Sequence, residues 1–151
     1  MAHNTEQVQV EYVQADAALR ERIAREWGDV QARHMHVDDG FTIVALSAGK
    51  PVGLLAVGWR ELPEPFAGER EAFIDIIEVR LEFRRRGIAS RMIGMAAWRG
   101  KSAGAYQLRA WSSDDRLEGL AMWRALGFGL APATVYPGGK EVRGFFVTKV
   151  L

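Results

Sequence analysis

The spacing of apolar and polar residues along the chain predicts seven strands and three helices. Short runs rich in β-branched, aromatic and other apolar residues predict strands at 8–14, 41–47, 52–59, 72–81, 106–113, 129–136 and 141–150. Leu19, Ile23 and Trp27 recur four residues apart within 15–29, so this segment is expected to be an amphipathic helix. Helices are also expected at 87–100 and within 112–128. The order β-α-β-β-β-α-β-α-β-β indicates a mixed α+β fold.

Local signals mark the ends of the last predicted helix. Asp115, with Glu118 three residues later, fits a capping box, and Ser113 is an alternative cap. Gly127 is suited to end the helix, because glycine tolerates the left-handed conformation that follows many helix C-termini. The stretch 61–71 holds two prolines and a glycine, and it is predicted to be a loop.

Chain length and composition indicate one globular domain spanning residues 1–151. Of the 151 residues, 48% are hydrophobic and 26% are charged, which is unlike a disordered chain. The absence of cysteine excludes disulfides and thiolate metal sites. The longest apolar runs, such as VGLLAV, are too short to cross a bilayer, and MAHNTEQVQVEYVQ lacks the features of a signal peptide. We therefore expect a cytoplasmic protein with no membrane partner.

Charge is distributed unevenly, although the net formal charge is only +1. Residues 1–79 carry seven basic and fourteen acidic side chains, whereas residues 80–109 carry eight basic and one acidic. Such an asymmetry influences binding more than folding. It favours an anionic ligand near 80–109 and a cationic one near the acidic part, unless the two segments simply face each other across the fold.

The basic segment contains FRRRGIASRM at 83–92, where three arginines precede a glycine and a helix-forming stretch. The first N–H groups of a helix have no intrahelical partner and lie at the positive end of its dipole, so anions bind there. Gly87 removes a Cβ at a point where backbone can approach a ligand closely. Arg84, Arg85 and Arg86 can add charged contacts to phosphate. Neither G-x-x-x-x-G-K-[ST] nor a G-x-G-x-x-G following a strand occurs, so the common nucleotide-binding loops are not supported.

Several segments resemble the GCN5-related N-acetyltransferase (GNAT) superfamily. R-R-R-G-I-A at 84–89 matches the [Q/R]-x-x-G-x-[G/A] loop that binds pyrophosphate in that family. SAGKPVGLLAVG resembles the family's central hairpin, IIEVRLEFRRRGIASRMIG its fourth strand and cofactor helix, and LEGLAMWRALGF its A-x-x-L-Y-x-x-x-G-F motif. The resemblance covers most of the chain. It implies a single-domain GNAT-like acyl-CoA N-acyltransferase fold, with a mixed, mostly antiparallel sheet flanked by helices.

The resemblance also implies a reaction and its site. Acetyl-CoA, or a related acyl-CoA, would give its acetyl group directly to a primary amine in a ternary complex, with no metal. Main-chain groups of the strand before the loop would pair with the pantetheine arm, and the Val79 N–H would stabilise the oxyanion. The implied cofactor-binding residues are Ile77, Val79, Arg84, Arg85, Arg86, Gly87, Ile88, Ala89 and Ser90.

Glu78 is the first candidate for the general base that takes a proton from the acceptor amine. It lies on the cofactor strand beside the expected acetyl position, among apolar neighbours. Asp75 is a weaker candidate, because side-chain alternation places it on the opposite face from Glu78. The alternative to catalysis is a structural ion pair of Glu78 with Arg80 or Arg109.

Trp123 stands where family members often have a tyrosine that reaches the sulfur of the thioester. An indole N–H donates a hydrogen bond but cannot deliver a proton, so Trp123 is expected to stabilise the departing thiolate or to wall it off. A thiol with a pKa of about 8.5 can leave without full protonation. Tyr106 and Tyr136 are alternative proton donors, unless they are core residues.

RHMHVDD contains metal-capable side chains, namely His34, His36, Asp38 and Asp39. Nothing in the surrounding sequence supports a metal site, so a polar loop beside the acceptor site is the preferred interpretation.

The acceptor is expected to be a cationic small molecule or peptide, with the acidic stretch 61–71 forming part of its site. A catalytically idle acyl-CoA sensor is the first alternative, and the missing tyrosine favours it. Nucleic-acid binding through the arginine-rich turn is the second. The acidic remainder of the chain argues against it, so no nucleic-acid partner is expected. The sequence is compatible with a homodimer.

Overall fold

The computed structural model describes residues 9–151, which form one seven-stranded sheet with four α-helices. The strands are β1 (Val10–Gln14), β2 (Gly40–Ser47), β3 (Lys50–Glu61), β4 (Arg70–Val79), β5 (Gln107–Ser113), β6 (Gly129–Val135) and β7 (Val142–Val150). The helices are α1 (Ala17–Glu26), α2 (Asp29–Arg33), α3 (Ile88–Ser102) and α4 (Leu117–Ala125), with short 3₁₀ turns at Leu81–Phe83 and Pro137–Gly139. All seven predicted strands are present; the first begins at Val10, and Val8 lies outside the described residues.

The strand order in the sheet is β1-β2-β3-β4-β5-β7-β6. Each neighbouring pair is antiparallel except β4 and β5, which are parallel. A parallel pair needs a long crossover connection, and α3 supplies it between β4 and β5. The expected mixed, mostly antiparallel sheet is therefore confirmed, with its parallel pair near the centre.

Apolar clusters cover both faces of the sheet. The larger cluster packs α3 against one face through residues such as Leu55 and Met92, and we call this the α3 face. The smaller cluster includes Ile23 of α1, Ala32 of α2 and Leu54, and we call this the α2 face. Leu54 and Leu55 are neighbours in β3 and face opposite sides, as strand alternation requires. Within residues 9–151, no helix is long and apolar enough to cross a membrane.

The helix expected at 15–29 is divided into α1 and α2. The Asp16 carboxylate caps α1 by accepting a hydrogen bond from the Leu19 N–H at 2.8 Å. Trp27 ends α1, and Gly28, in an extended conformation, separates it from α2. With five residues, α2 is shorter than the window over which apolar periodicity can be recognised.

The predicted cap of α4 is wrong, whereas its predicted end is confirmed. Arg116 is the N-cap residue, and its side chain forms no capping hydrogen bond. The Ser113 hydroxyl donates to Asp115 Oδ1 at 2.5 Å, so the two expected caps satisfy each other instead of the helix. Gly127 follows α4 with a left-handed φ of 86°, as expected.

A buried ion pair joins β4 to β5 where the two strands run side by side. Glu71 is only 1% exposed. Arg109 donates to it twice, from Nε to Oε2 at 2.9 Å and from Nη2 to Oε1 at 2.6 Å, and Gln107 Nε2 donates to Oε2 at 2.7 Å. Burial raises the pKa of Glu71, but these donors outweigh it and hold the pKa below its ordinary value.

Glu71→Gln is expected to lower the free energy of unfolding by about 2–3 kcal/mol at pH 7, because it leaves Arg109 without its carboxylate. A carboxylate with a lowered pKa stabilises the fold above its unfolded pKa, and that stabilisation is lost as pH falls through the folded pKa. The difference in free energy of unfolding between wild type and Glu71→Gln should therefore shrink below about pH 4.

Urea unfolding at several pH values measures this difference. Glu118→Gln is the matched control, since Glu118 is 89% exposed in its ion pair. This substitution should lower the free energy of unfolding by no more than about 0.5 kcal/mol. Equal losses for the two variants at pH 7 would show that the buried pair does not stabilise the sheet.

Candidate active site

β4 and β5 separate towards their C-terminal ends. Their parallel pairing covers only residues 72–74 against 108–110. β4 continues to Val79, while β5 continues to Ser113 in partnership with β7. Residues 75–79 therefore border an opening in the sheet on the side of β5, and we call this opening the wedge.

The main chain of β4 presents hydrogen-bonding groups to the wedge. The Arg80 N–H donates to the Val52 carbonyl at 2.8 Å, so it points towards β3. Hydrogen-bonding directions alternate along a strand, and the N–H groups of Ile77 and Val79 consequently point away from β3 and into the wedge. The Val79 carbonyl accepts a hydrogen bond from Arg84 Nε at 3.0 Å, which ties the following loop to this strand end.

A β-bulge places two carboxylates of β4 on the same face. The β3–β4 register shifts by one residue, which leaves Asp75 as an extra residue in β4. Beyond the bulge the alternation of side chains is reset. Asp75 and Glu78 both contact the segment that covers the α2 face, through His36 and Gln31 respectively. The prediction that the two carboxylates lie on opposite faces is wrong for this reason.

Glu78 is half-buried, and its hydrogen-bond partner is a neutral side chain. Gln31 Nε2 of α2 donates to Glu78 Oε2 at 3.0 Å. The arginines considered as ion-pair partners are engaged elsewhere: Arg80 donates to two main-chain carbonyls, and Arg109 to Glu71. A structural ion pair at Glu78 is therefore not formed. Sequence analysis missed Gln31, because the helix that carries it was not predicted.

The loop between β4 and α3 takes two left-handed backbone conformations. Arg85 has a φ of 64° and Gly87 a φ of 78°, and α3 begins at Ile88 without a side-chain cap. The Arg91 N–H donates to the Gly87 carbonyl at 3.0 Å, and the N–H groups before it lie in the first turn, which has no intrahelical acceptors. Loop and helix start thus present a group of N–H donors at the positive end of α3, which suits an anion.

The three arginines of this loop are exposed and contact different parts of the protein. Arg84 bonds to β4, as described above. Arg85 Nη2 lies 3.3 Å from Glu118 Oε1 of α4, with both side chains more than four-fifths exposed (86% and 89%). The Arg86 guanidinium lies 5.2 Å from the centre of the Phe83 ring. Exposed contacts of this kind contribute little stability, so Arg85 and Arg86 can reorient at little cost.

Comparison with protein families identifies the family of the chain. Residues 6–128 match the model described as the acetyltransferase (GNAT) family. The chain belongs to this acetyltransferase family. The resemblance inferred from the loop, strand and helix motifs is thereby confirmed. No curated protein matches the sequence of this acetyltransferase.

Solved structures share the fold of the acetyltransferase at low sequence identity. Arabidopsis thaliana NAA60 in complex with acetyl-CoA is 10% identical, with a TM-score of 0.77 over 95% of this chain and 100% of that chain. Arabidopsis thaliana Naa50 in complex with the bisubstrate analogue CoA-Ac-MVNAL is 13% identical, with a TM-score of 0.73 over the same shares. Aminoglycoside N-acetyltransferase AAC(6')-Iy in complex with CoA is 17% identical, with a TM-score of 0.68 over 85% of this chain and 93% of that chain.

A polar cluster around His36 occupies the α2 face of the acetyltransferase. His36 Nε2 contacts Asp75 Oδ2, and Asp75 Oδ1 accepts a hydrogen bond from Arg60 Nη2 at 3.0 Å. Gly58 leaves room for the imidazole, since a Cβ there would lie 2.8 Å from His36 Cε1. Asp39 Oδ1 lies 2.9 Å from His36 Nδ1, outside hydrogen-bond alignment, and the contact lowers the pKa of Asp39. Asp75 is thus engaged by two basic side chains, whereas Glu78 bonds to the neutral Gln31 amide.

The histidines of RHMHVDD make local contacts. His34 Nδ1 lies 2.7 Å from the Val30 carbonyl, and His36 belongs to the cluster just described. Within the described part of the chain, no three histidine, aspartate or glutamate side chains are arranged to hold a metal ion.

Trp123 lies on the opposite side of the sheet from Glu78. It is 3% exposed and packs edge-on against Phe128, with ring centroids 4.8 Å apart. Both belong to the cluster on the α3 face, whereas Glu78 contacts α2. The packing leaves the Trp123 ring little freedom to move.

Neither candidate tyrosine is a core residue. Tyr106 is 37% exposed and lies beside the first residue of β4, a ten-residue strand that spans about 30 Å, so it is far from Val79. Tyr136 is 65% exposed in the connection between β6 and β7. Of these two tyrosines, Tyr136 is therefore the one that remains a candidate proton donor.

The free energy of unfolding of the Arg85→Gly variant is expected to exceed that of the Arg86→Gly variant by about 1 kcal/mol. Both variants lose an exposed arginine and gain the flexibility of glycine, but only Arg85 occupies a left-handed conformation that strains an L-residue. Urea unfolding of the two variants side by side measures the difference. Equal stability would mean that the loop relaxes out of this conformation.

Proposed function

We propose that this acetyltransferase moves an acetyl group from acetyl-CoA directly to a primary amine within a ternary complex. The observation that carries the proposal is the wedge between β4 and β5, which opens beside the left-handed loop at the N-terminus of α3. The free edge of β4 and the loop proposed to bind phosphate are consecutive in the sequence. This arrangement suits a ligand that has an amide-containing arm and a pyrophosphate.

The residues present fit coenzyme A. N–H groups from Arg85 to Ser90 would hold the pyrophosphate, with Ile88 and Ala89 in the first turn of α3 and the side chains of Arg84, Arg85 and Arg86 adding positive charge. The main-chain groups of Ile77 and Val79 would pair with the amides of the pantetheine arm, as a strand would. The basic balance of residues 80–109 favours a ligand with several phosphate charges.

Glu78 and Val79 would carry the chemistry. Glu78 accepts a proton from the acceptor amine, directly or through water, and the neutral amine then attacks the thioester carbon. The Val79 N–H, which points into the wedge, donates to the oxyanion that forms. The carbon–sulfur bond breaks, the thiolate leaves, and the nitrogen releases its remaining extra proton to the thiolate or to water, which gives the neutral amide.

Trp123 would bound the wedge from the α3 face, opposite the amine. Its buried, packed ring supports a role in excluding water near the thiolate, while its indole cannot supply a proton. Tyr136 stays a candidate for that proton, since its connection follows β6 and precedes β7, the partner of β5.

The acceptor would be a small-molecule or peptide amine. The acidic balance of residues 1–79 supports a cationic acceptor. Among the structures of the same fold, Naa50 was solved with the bisubstrate analogue CoA-Ac-MVNAL, and AAC(6')-Iy is an aminoglycoside N-acetyltransferase. The acidic stretch 61–71 offers fewer carboxylates to an acceptor than the sequence suggested, because Glu71 belongs to β4 and is hydrogen-bonded to Arg109. Glu64 and Glu69 are the exposed carboxylates that remain in the connection itself.

An idle acyl-CoA sensor is the alternative function, and the tryptophan at position 123 favours it. The single sheet supports one domain over the described residues 9–151, while the extension of that domain to residue 1, a cytoplasmic location and a homodimer remain predictions. Thiol release from acetyl-CoA in the presence of an amine panel distinguishes enzyme from sensor. Binding without thiol release for every amine class would support the sensor.

Gly87→Ala is expected to weaken acetyl-CoA binding about tenfold or more, because a Cβ would enter the loop where the pyrophosphate approaches. Gly104→Ala is the matched control. Gly104 also has a left-handed φ, of 80°, and open space around it, but it lies beyond the other end of α3. Isothermal titration measures both affinities; equal weakening would show that the loop does not bind the phosphates.

Glu78→Gln is expected to lower kcat/KM for the amine by about 10²–10³, because general-base assistance is lost while the shape of the side chain is kept. Acetyl-CoA affinity should stay within about twofold of wild type. Steady-state kinetics across pH measures the change. Wild-type activity at every pH would remove Glu78 as the base.

A further inference from the structure

Gln31 forms a contact that the chemistry described above does not use. Its Nε2 donates to Glu78 Oε2 at 3.0 Å across 47 residues of sequence, from a helix on the α2 face. We propose that Gln31 is a positioning residue, which holds the Glu78 carboxylate in the orientation that accepts the proton of the acceptor amine. The inference rests on the proposed function of Glu78 as base.

The chemistry of an amide suits this role. An amide N–H₂ can donate to one carboxylate oxygen but carries no charge and takes up no proton near neutral pH. A guanidinium in the same place would bind both oxygens and favour the ionised form strongly enough to weaken the base. Arg80 and Arg109, the two arginines considered as ion-pair partners of Glu78, are held by other acceptors. Glu78 is thus oriented by a neutral donor, which leaves Oε1 for the amine or a water.

The main chain next to Gln31 leaves room for its side-chain amide. Gly28 lies directly before α2, and a Cβ at that position would come within 2.6 Å of Gln31 Oε1. Gly28 has an extended backbone, which any residue can adopt. The absence of a side chain at Gly28 is therefore explained by the space it leaves and not by the backbone conformation. The Gln31 amide occupies that space.

The residues that follow α2 also contact β4. His36 follows α2 and contacts Asp75, the bulge residue of β4. The His36 N–H donates to Thr42 Oγ1 at 2.9 Å, and the Thr42 hydroxyl donates back to the His36 carbonyl at 2.8 Å. Two contacts with β4, at Asp75 and at Glu78, thus fix the position of α2 relative to the strand that carries the base.

Gln31→Met tests the proposal, since methionine keeps the length and bulk of glutamine but cannot donate a hydrogen bond. We expect kcat for the amine to fall about tenfold, while KM for acetyl-CoA stays within about twofold, because the lost contact acts on the base alone. In a Glu78→Gln background the same change should have no further effect on kcat. Arg33→Gln, an exposed position on the same helix, is the control and should match wild type.

Gly28→Ala provides a second variant that leaves Gln31 itself intact. The new Cβ should push the amide away from Glu78 and lower kcat about threefold, with the thermal midpoint of unfolding close to wild type, because only a flexible side-chain end has to move.

The outcomes separate the two proposals. If Glu78→Gln keeps wild-type kcat, the base assignment itself fails. If Glu78→Gln loses activity but Gln31→Met and Gly28→Ala match wild type, or if Gln31→Met lowers kcat by the same factor in both backgrounds, only the positioning role of Gln31 is overturned.

Discussion

The incomplete pairing of β4 and β5 is the constraint on which the site depends. Two parallel strands that stayed paired over their full length would leave no main-chain groups for a ligand. Here the pairing stops after three residues of each strand, and β5 follows β7 instead. The strand edge exposed in this way is the basis of the proposal that a thioester arm enters the sheet between Glu78 on one face and Trp123 on the other.

Polar contacts keep the opening in place. At the paired end, Glu71 and Arg109 join the two strands through a buried ion pair. At the open end, the bulge in β4 places Asp75 and Glu78 on the α2 face, where they contact His36 and Gln31 respectively. The left-handed loop then leads from the wedge directly into α3, so that one short connection joins the strand edge to the proposed anion site.

Sequence patterns predicted the features whose cause is local. The strand, loop and helix from 72 to 102 follow from β-branched residues, an arginine–glycine turn and helix-forming residues in immediate succession, and the motif there pointed to the family. Gly127 ended α4 for the same kind of reason, since only the preference of one residue for left-handed backbone was needed.

Features that depend on distant partners were missed. The bulge at Asp75 is a property of the β3–β4 register, which no local pattern reports. Glu78 accepts a hydrogen bond from Gln31, which lies 47 residues away in sequence, on a helix too short for its periodicity to be recognised. Ser113 and Asp115 fit a cap by type, but they bond to each other once β5 and α4 fix their separation.

Amide hydrogen exchange of β4, followed by NMR with and without saturating acetyl-CoA, tests the role of the wedge most directly. The N–H groups of Ile77 and Val79 should exchange about tenfold or more slowly in the presence of acetyl-CoA, because the pantetheine arm would replace the missing strand partner. Amides at 72–74, which already lie in the paired part of the strand, should change little. Acetyl-CoA binding that leaves exchange at Ile77 and Val79 unaltered would show that the wedge is not where the co-substrate lies.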